Sequence, residues 1–222
     1  MGRNDLDAAA DLIKAATISD ADLWASSLQM MKQMDARNPV AKGKNKYAQR
    51  LANLTKNLTN EDGLNLNFKA YLIKDVNAFA TPDGSVRVFA GLMDLMTDGE
   101  LLSVIGHEIG HVKLGHSLKA ARTAYLSSAA AKAAGSRLNA AALTDLGVKF
   151  VNAQFSQSQE SDSDAYGVAF LKRHKFKLPP AETAMLKLAD LDGTAAGGSS
   201  SLFASHPGSK DRAKKIHDLI SK

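Results

Sequence analysis

The sequence predicts a mainly α-helical α+β protein with a small antiparallel β-sheet. Apolar residues recur at the spacing of helix faces through most of the chain. This pattern is interrupted between about residues 68 and 90, where strand-like runs flank the turn signal Thr81-Pro82-Asp83-Gly84. With 222 residues, 45% of them hydrophobic, the chain is long enough to bury one sizeable core, and we expect a single domain over residues 1–222.

Residues 1–45 are predicted to form a helical extension that packs on the rest of the domain. The segment from Asp5 to Ala16 has an amphipathic pattern, and Ser19 is a suitable N-cap for a second helix that ends before Asn38-Pro39. From about Tyr47, Leu residues again recur at helical spacing. We therefore expect three helices ahead of the sheet.

Three short strands are expected next. Phe68, Tyr71 and Ile73 indicate the first strand, residues 78–80 continue in extended structure, and residues 86–90 alternate after the turn. Together these runs predict a small sheet whose strands are antiparallel.

Helices resume after the sheet. Thr97 and Glu100 have the spacing of a capping box and precede an apolar, helix-patterned run from Leu101 to Leu118. The Gly- and Ser-rich residues 192–201 are predicted to form a flexible loop. Further helices are predicted over residues 120–134, 138–155, 156–171, 179–191 and 210–220.

Composition excludes several classes of protein. The net charge of +5 comes from 28 basic and 23 acidic residues spread along the chain, without the basic stripe or aromatic platform of a nucleic-acid-binding protein. No apolar run approaches the roughly 20 residues that a membrane span requires. The absence of cysteine excludes disulfides, so any metal must be held by His and carboxylate side chains. Nothing in the composition specifies an oligomeric state.

The motif H-E-x-x-H, from His107 to His111, lies inside the apolar helical run. Residues four apart share one face of a helix, so both imidazoles can bind one ion. A catalytic zinc site has three protein ligands and one water, and Glu108 would lie beside that water as the general base. The alternative is a helix with two ordinary surface or core histidines. Burying them with a glutamate in this apolar setting without partners would be costly, which favours a metal.

Three residues compete for the third ligand position. His116 is nearest, but on a continuous helix it would point about 140° away from His111, so we interpret it as a histidine that interacts with the helix end. Glu160 and Asp164 are four apart, so one can bind the metal while the other accepts the free N–H of a ligand histidine. The alternative for this pair is a solvated acidic helix N-terminus. His206 would stabilise an oxyanion, contact substrate or approach an empty metal site, unless it only caps the last helix.

Four segments of the chain resemble the soluble branch of peptidase family M48, and look closest to its LoiP-type bacterial periplasmic lipoprotein proteases. The resemblance extends roughly from Tyr47 to Ile220. The similar segments are DVNAFATPDGSVRVFAGLMDLMTDGE (75–100), VIGHEIGHVKLGH (104–116), FSQSQESDSDAYG (155–167) and LFASHPGSKDRAKKI (202–216).

The resemblance implies a gluzincin-type metalloprotease fold with the H-E-x-x-H motif on a central helix, and a role for each candidate residue. His107, His111 and Glu160 would bind one zinc ion per chain. Glu108 would be the catalytic base, and Asp164 would accept a hydrogen bond from a ligand histidine. His206 and Arg212 would lie near the cleft and stabilise the oxyanion. Asn77, Ala78 and Phe79 would form an edge strand that pairs with extended substrate.

The implied activity is zinc-dependent hydrolysis of peptide bonds in extended or misfolded envelope proteins, in the service of protein quality control. The resemblance also implies a periplasmic protein, associated with the outer membrane through a lipoprotein signal that this chain lacks. We expect that signal in the full-length precursor. The chain departs from the LoiP-type group because it contains no cysteine. Two alternatives stay open: a zinc-binding chaperone or scaffold, and a latent protease whose cleft is covered by the Ala-rich segment or by residues 192–201.

Overall fold

The computed structural model describes residues 18–128, 138–192, 202, 205–207 and 210–222. The predicted helix from Asp5 to Ala16 lies outside the described residues, as do most of the predicted loop 192–201 and the end of the Ala-rich segment. Within the described part, no helix combines the length and apolar character that crossing a bilayer requires.

Two helices precede the sheet in the described part of the chain. Helix α1 (Asp20–Arg37) begins at the predicted N-cap, where the Ser19 hydroxyl accepts a hydrogen bond from the Asp22 N–H at 3.0 Å. It ends at Asn38, ahead of the proline, as predicted. Helix α2 (Lys46–Thr55) follows, and a short 3₁₀ turn (Glu61–Gly63) leads into the sheet.

The sheet has three strands, β1 (Asn67–Tyr71), β2 (Ala78–Ala80) and β3 (Ser85–Phe89), in the order β1-β3-β2. Strands β2 and β3 form the predicted antiparallel pair, joined by a tight turn in which Gly84 has a φ of 87°. The expectation of an entirely antiparallel sheet is corrected by β1, which is parallel to β3. The chain reverses between β1 and β2, and β3 then occupies the position between them, so β1 and β3 run the same way.

Seven helices follow the sheet in the described residues, and their bounds largely match the prediction. The predicted helical run from Leu101 to Leu118 is divided, because Gly115 takes a left-handed conformation with a φ of 79° and starts a new helix at His116. The helices are α3 (Ala90–Leu95), α4 (Asp98–Lys113), α5 (His116–Ser127), α6 (Ala140–Val151), α7 (Gln157–Arg173), α8 (Pro179–Asp192) and α9 (Lys210–Ile220).

Helix α4 lies at the centre of the main hydrophobic core, with Leu101, Ile105 and Ile109 fully buried. It packs closely against α7 because glycines leave room where the two helices touch. A Cβ added to Gly106 would lie 2.5 Å from the Phe170 ring, and one added to Gly167 would lie 3.2 Å from the His107 nitrogen. This close packing sets the separation between the H-E-x-x-H helix and the acidic residues of α7.

A second hydrophobic cluster joins α1, α5 and α6 to the sheet. Beside it, the buried Arg87 of β3 donates two hydrogen bonds to Asp35 of α1, each of 2.9 Å. The Tyr71 hydroxyl donates a third to the same carboxylate at 2.7 Å. Burial tends to raise the pKa of Asp35, but the hydrogen bonds from Arg87, Lys69 and Tyr71 outweigh it and lower the pKa. Helix α1 is therefore held to the sheet by an ion pair between the buried Arg87 and the partly buried Asp35.

Replacing Asp35 by alanine is expected to destabilise the protein by about 3–5 kcal/mol, because Arg87 would be left buried without its counter-ion. The measurement is the free energy of unfolding in urea. Lys69→Met is the matched control: it removes the half-exposed partner of the same carboxylate, and we expect a loss below about 1 kcal/mol. An Asp35→Ala loss no larger than the control's would contradict a supporting role for the pair.

Candidate metal centre

Helix α4 presents the two histidines of the motif on one face. The helix begins at the predicted capping box, in which Thr97 and Glu100 exchange side-chain to backbone hydrogen bonds. Two turns later, the Nε2 atoms of His107 and His111 lie 3.0 Å apart. The His111 side chain is fully buried and only 12% of the His107 side chain is exposed.

Helix α7 brings Glu160 to the same point. It begins at Ser156, which forms a capping box with Gln159, and Glu160 follows in its first turn. The Glu160 Oε1 atom lies 3.1 Å from His111 Nε2, and Oε2 lies 3.5 Å from His107 Nε2. The carboxylate predicted as the third ligand therefore faces both imidazoles, from a position about 50 residues further along the chain.

His206 joins this cluster from the segment before α9. Its Nδ1 atom lies 2.9 Å from Glu160 Oε1 and 3.4 Å from His107 Nε2. Its Nε2 atom lies 3.4 Å from Glu108 Oε1. One ligand atom from each of His107, His111, Glu160 and His206 falls within 4.8 Å of the others. The structure thus brings His206 next to both the predicted base and the predicted ligands.

Asp164 and Arg212 form a layer behind the cluster. The Asp164 Oδ1 atom lies 2.9 Å from His107 Nδ1, the nitrogen that faces away from the other imidazoles. Arg212 donates two hydrogen bonds to the Asp164 carboxylate, at 2.8 and 2.7 Å, and its Nη1 atom lies 2.7 Å from Glu160 Oε2. Burial raises the pKa of Asp164, but the hydrogen bonds from Arg212 and His107 outweigh burial and lower it.

Sequence reasoning did not predict two contacts of His111, one with His116, which was expected to point away, and one with Phe155. His116 lies with its Nδ1 atom 2.9 Å from His111 Nδ1, and the Phe155 ring stacks on His111 with centroids 3.8 Å apart and an angle of 16° between the planes. The interpretation of His116 as pointing away assumed one continuous helix. The break at Gly115 redirects the side chain, and this glycine was the available signal.

The predicted substrate-binding residues lie at the edge of the sheet, in and just before β2. Asn77, Ala78 and Phe79 are all buried, and the Asn77 carboxamide has no hydrogen-bond partner among the described residues. The Phe79 ring packs against Tyr71, Phe89 and Phe150 in the core. Phe79 is therefore available to a ligand only through its backbone, because its side chain is used in packing.

The outer side of β2, which faces away from β3, is only partly used by other described residues. Phe89 N–H donates to the Asn77 carbonyl, so by antiparallel alternation the backbone groups of Ala78 and Ala80 face away from β3. The Ala80 carbonyl accepts a hydrogen bond from the Ser117 hydroxyl at 3.0 Å. The N–H and C=O of Ala78 and the N–H of Ala80 have no hydrogen-bond partner on this side among the described residues, although Ala78 itself is buried.

An apolar cavity adjoins the cluster. His107, Glu108 and His206 line one side of it. The remaining walls come mainly from α4, α7, α8 and α9 and include Val104, Val168, Ala184, Met185, Leu188 and Ile216.

The cluster has the chemistry that a divalent metal ion requires. Burial lowers the pKa of His111 far below its ordinary value, so this imidazole stays neutral, the form that binds metals. Burial raises the pKa of Glu108, and its Oε1 atom makes no hydrogen bond to the described residues. Imidazole nitrogens and a carboxylate that converge within 4.8 Å in a buried space are the donor set that binds a divalent cation. The residues present therefore fit a bound metal.

Comparison with known proteins agrees with this chemistry. The family model described as peptidase family M48 matches residues 45–220. The chain is 40% identical to metalloprotease LoiP of Escherichia coli, over 97% of this chain and 87% of LoiP. It is 41% identical to metalloprotease YcaL of the same organism, over 94% of this chain and 84% of YcaL. It is 32% identical to mitochondrial metalloendopeptidase OMA1 of Schizosaccharomyces pombe, over 70% of this chain and 47% of OMA1.

The family model spans most of the chain, and it includes both the H-E-x-x-H helix and the helix that carries Glu160. The two bacterial relatives match it over nearly their full length. Metalloproteases use a metal ion to cleave peptide bonds, so this chain has a metal cofactor and peptide substrates. The chain belongs to peptidase family M48 and is a metalloendopeptidase.

Proposed function

We propose that this chain is a zinc metalloendopeptidase, with His107, His111 and Glu160 as zinc ligands and Glu108 as the catalytic base. The observation that carries the proposal is the convergence of the two imidazoles and the Glu160 carboxylate within about one coordination sphere. Two histidines and one carboxylate are the ligand set of well-known catalytic zinc sites, which keep a fourth position for water. The neighbouring Glu108 is buried, and its Oε1 atom makes no hydrogen bond to the described residues, so this oxygen can accept a proton from a water.

A zinc ion held there would supply a water of lowered pKa and would polarise the scissile carbonyl. Glu108 would accept the proton of the attacking water and pass it to the leaving amine. Its raised pKa favours this exchange, because a carboxylate with a higher pKa binds the proton more readily. His206, whose Nε2 atom lies 3.4 Å from Glu108, would donate a hydrogen bond to the developing oxyanion.

Arg212 would act mainly by holding other groups in position. It donates hydrogen bonds to Asp164, contacts Glu160, and donates to the Pro207 carbonyl at 2.8 Å. Asp164 in turn would accept the Nδ1 proton of His107 and orient that ring. Through Pro207, the same guanidinium holds the segment that carries His206.

Extended substrate would bind along β2. The Ala78 N–H and C=O face away from β3 and would pair with the backbone of a peptide strand. Asn77, whose buried carboxamide has no hydrogen-bond partner among the described residues, would add a side-chain hydrogen bond. The apolar cavity beside His107 and Glu108 would hold a substrate side chain next to the scissile bond.

We further propose that the substrates are extended or misfolded envelope proteins and that the chain works in the bacterial periplasm, anchored to the outer membrane by a lipid on its precursor. The resemblance to LoiP-type proteases supports this proposal. The alternative of a protease kept latent by the Ala-rich segment or by residues 192–201 concerns residues that lie largely outside the described part, and it stays a prediction.

Glu108→Gln is expected to keep the metal and the fold and to reduce casein hydrolysis by about 10²–10⁴-fold, since the amide cannot accept the water proton. The measurement combines metal content per chain with the initial rate of cleavage. The same variant distinguishes an enzyme from a zinc-binding scaffold, because only an enzyme has casein hydrolysis that the substitution can reduce. If Glu108→Gln cleaves casein as fast as the unmodified chain, the assigned base is wrong.

Chelation is expected to abolish hydrolysis and to lower the free energy of unfolding, and added zinc should restore both. Binding to the folded state alone contributes about 4 kcal/mol when free zinc is about 1,000 times its dissociation constant. In Glu160→Gln this zinc-dependent stabilisation should fall sharply, because one ligand is lost. Asp162→Asn on the exposed face of the same helix is the control and should behave like the unmodified chain. Equal zinc stabilisation in both variants would exclude Glu160 as a ligand.

Ala184→Leu is expected to fill part of the apolar cavity and to lower kcat/KM by about tenfold or more for peptides with a large apolar residue beside the cleaved bond. Peptides with alanine at that position should be affected much less. A peptide-library digest measures both. The control is Leu186→Met, on the exposed side of α8. A uniform loss across all peptides would argue against a side-chain pocket here.

A further inference from the structure

We propose that His116 is a positioning residue for the metal site: its Nδ1 atom accepts the Nδ1 proton of His111 and thereby keeps His111 Nε2 directed at the metal. The inference rests on the proposed role of His111 as a ligand. It adds a residue that the H-E-x-x-H motif and the third ligand do not include.

The two edges of the His111 ring face different neighbours. Nε2 lies 3.0 Å from His107 Nε2 and 3.1 Å from Glu160 Oε1, so this nitrogen faces the metal cluster. Nδ1, on the other side of the ring, lies 2.9 Å from His116 Nδ1. A distance of 2.9 Å between two ring nitrogens is that of a hydrogen bond, which needs one donor and one acceptor.

The chemistry of the ligand decides which nitrogen is the donor. A histidine that binds metal through Nε2 must have its lone pair there and its proton on Nδ1. His111 is then the donor, and His116 must accept through Nδ1 and have its own proton on Nε2. The metal-binding tautomer of His111, protonated on Nδ1, therefore requires the tautomer of His116 that is protonated on Nε2.

His107 and His111 obtain their orientation in parallel ways. The Nδ1 atom of His107 faces the Asp164 carboxylate at 2.9 Å, and Arg212 holds that carboxylate. The Nδ1 atom of His111 faces the imidazole of His116 instead, which must be neutral in order to accept the proton. An acceptor without charge orients the second histidine without adding another negative charge to a cluster that already contains the carboxylates of Glu108, Glu160 and Asp164.

Stacking by Phe155 does not replace this hydrogen bond. The Phe155 ring covers one face of His111 and fixes the plane of the imidazole. A flip of the imidazole by 180° about its Cβ–Cγ bond would keep the same plane and stack equally well. It would, however, remove Nε2 from the cluster. A partner at the Nδ1 edge favours the orientation that directs Nε2 at the cluster, and His116 is the partner there.

The fold holds His116 firmly in place. Gly115, with its left-handed φ of 79°, turns the chain between α4 and α5, and His116 is the first residue of α5. The next residue, Ser117, is fully buried and donates a hydrogen bond to the Ala80 carbonyl of β2 at 3.0 Å. The start of α5 is therefore attached to the sheet, and His116 itself is only 8% exposed.

The test compares two substitutions that fill similar space and differ in the acceptor. His116→Asn places an oxygen near the position of Nδ1, whereas His116→Phe provides a ring of similar shape without an acceptor. The dissociation constant for zinc is measured by competition with a chelator, on the full chain. We expect His116→Phe to weaken zinc binding by about 10–100-fold, the usual effect of removing such a partner, and His116→Asn to recover most of the loss.

A matched control separates this effect from the loss of any buried histidine. His174 is part-buried, stacks on Phe176 and hydrogen-bonds to Glu61 at 2.6 Å, at the far end of α7 from Glu160. His174→Phe should leave the zinc dissociation constant unchanged. Thermal unfolding of the metal-free variants reports any general loss of fold.

A direct reading of the tautomer keeps the proposal testable if His116→Phe does not fold. In the zinc-loaded unmodified chain with ¹⁵N-labelled histidine, long-range ¹H–¹⁵N spectra should show His116 protonated on Nε2 and unprotonated on Nδ1. A proton on His116 Nδ1 would overturn the proposal. So would a folded His116→Phe variant that binds zinc as tightly as the unmodified chain does. Equal weakening by the Asn and Phe variants would also overturn it, because shape and not the acceptor would then matter. If His111→Ala itself keeps full zinc affinity, the ligand assignment fails instead.

Discussion

The close packing of α4 against α7 is the constraint on which the rest of the site depends. The ligand atoms of the H-E-x-x-H motif lie on α4, and the acidic residues that face them lie on α7. Side chains of ordinary size at Gly106 and Gly167 would push the helices apart, because their Cβ atoms would meet Phe170 and the backbone of His107. A carboxylate has a short reach, so a shift of about 1 Å between helices would be enough to spoil the coordination geometry. The two glycines therefore help to set the position of Glu160 relative to the histidines of α4.

Burying so many ionisable groups in one place requires that each has a partner. Arg212 lies against both Asp164 and Glu160, so one cation offsets two carboxylates. The imidazoles of His107 and His111 each have a partner on the nitrogen that faces away from the cluster. Among the described residues, the Oε1 atom of Glu108, beside the apolar cavity, and the Oε2 atom of Glu160, against Arg212, make no hydrogen bond. Both atoms belong to side chains with a proposed role at the metal, Glu108 as the base and Glu160 as a ligand.

The sheet and the N-terminal half support the cleft from the other side. Strand β2 is attached through Ser117 to the start of α5, the same helix start that presents His116 to His111. The Asp35–Arg87 pair fastens α1 to the central strand β3. Because β2 is paired on one side by β3 and is tied on the other side to the start of α5 through Ser117, the proposed substrate strand is held at a fixed position relative to the metal ligands.

Local pattern was sufficient for much of this protein. Helical periodicity and capping residues predicted the bounds of most helices within a few residues. The H-E-x-x-H spacing on a helix directs His107 and His111 to one side. Both features depend only on neighbours within four positions in the chain. The pair Glu160 and Asp164 was found by the same spacing rule.

Contacts between distant segments were decided only by the tertiary structure. The parallel pairing of β1 with β3, the burial of Arg87 in a strand that reads as alternating, and the position of His206 beside Glu108 each join residues far apart in the chain. His116 shows the limit most clearly: one left-handed glycine turned a residue expected to point away into a neighbour of His111. Sequence by itself determined which side chains can bind a metal, and packing determined which neighbours hold those side chains in place, because hydrogen bonds across the core depend on the spatial arrangement of whole helices.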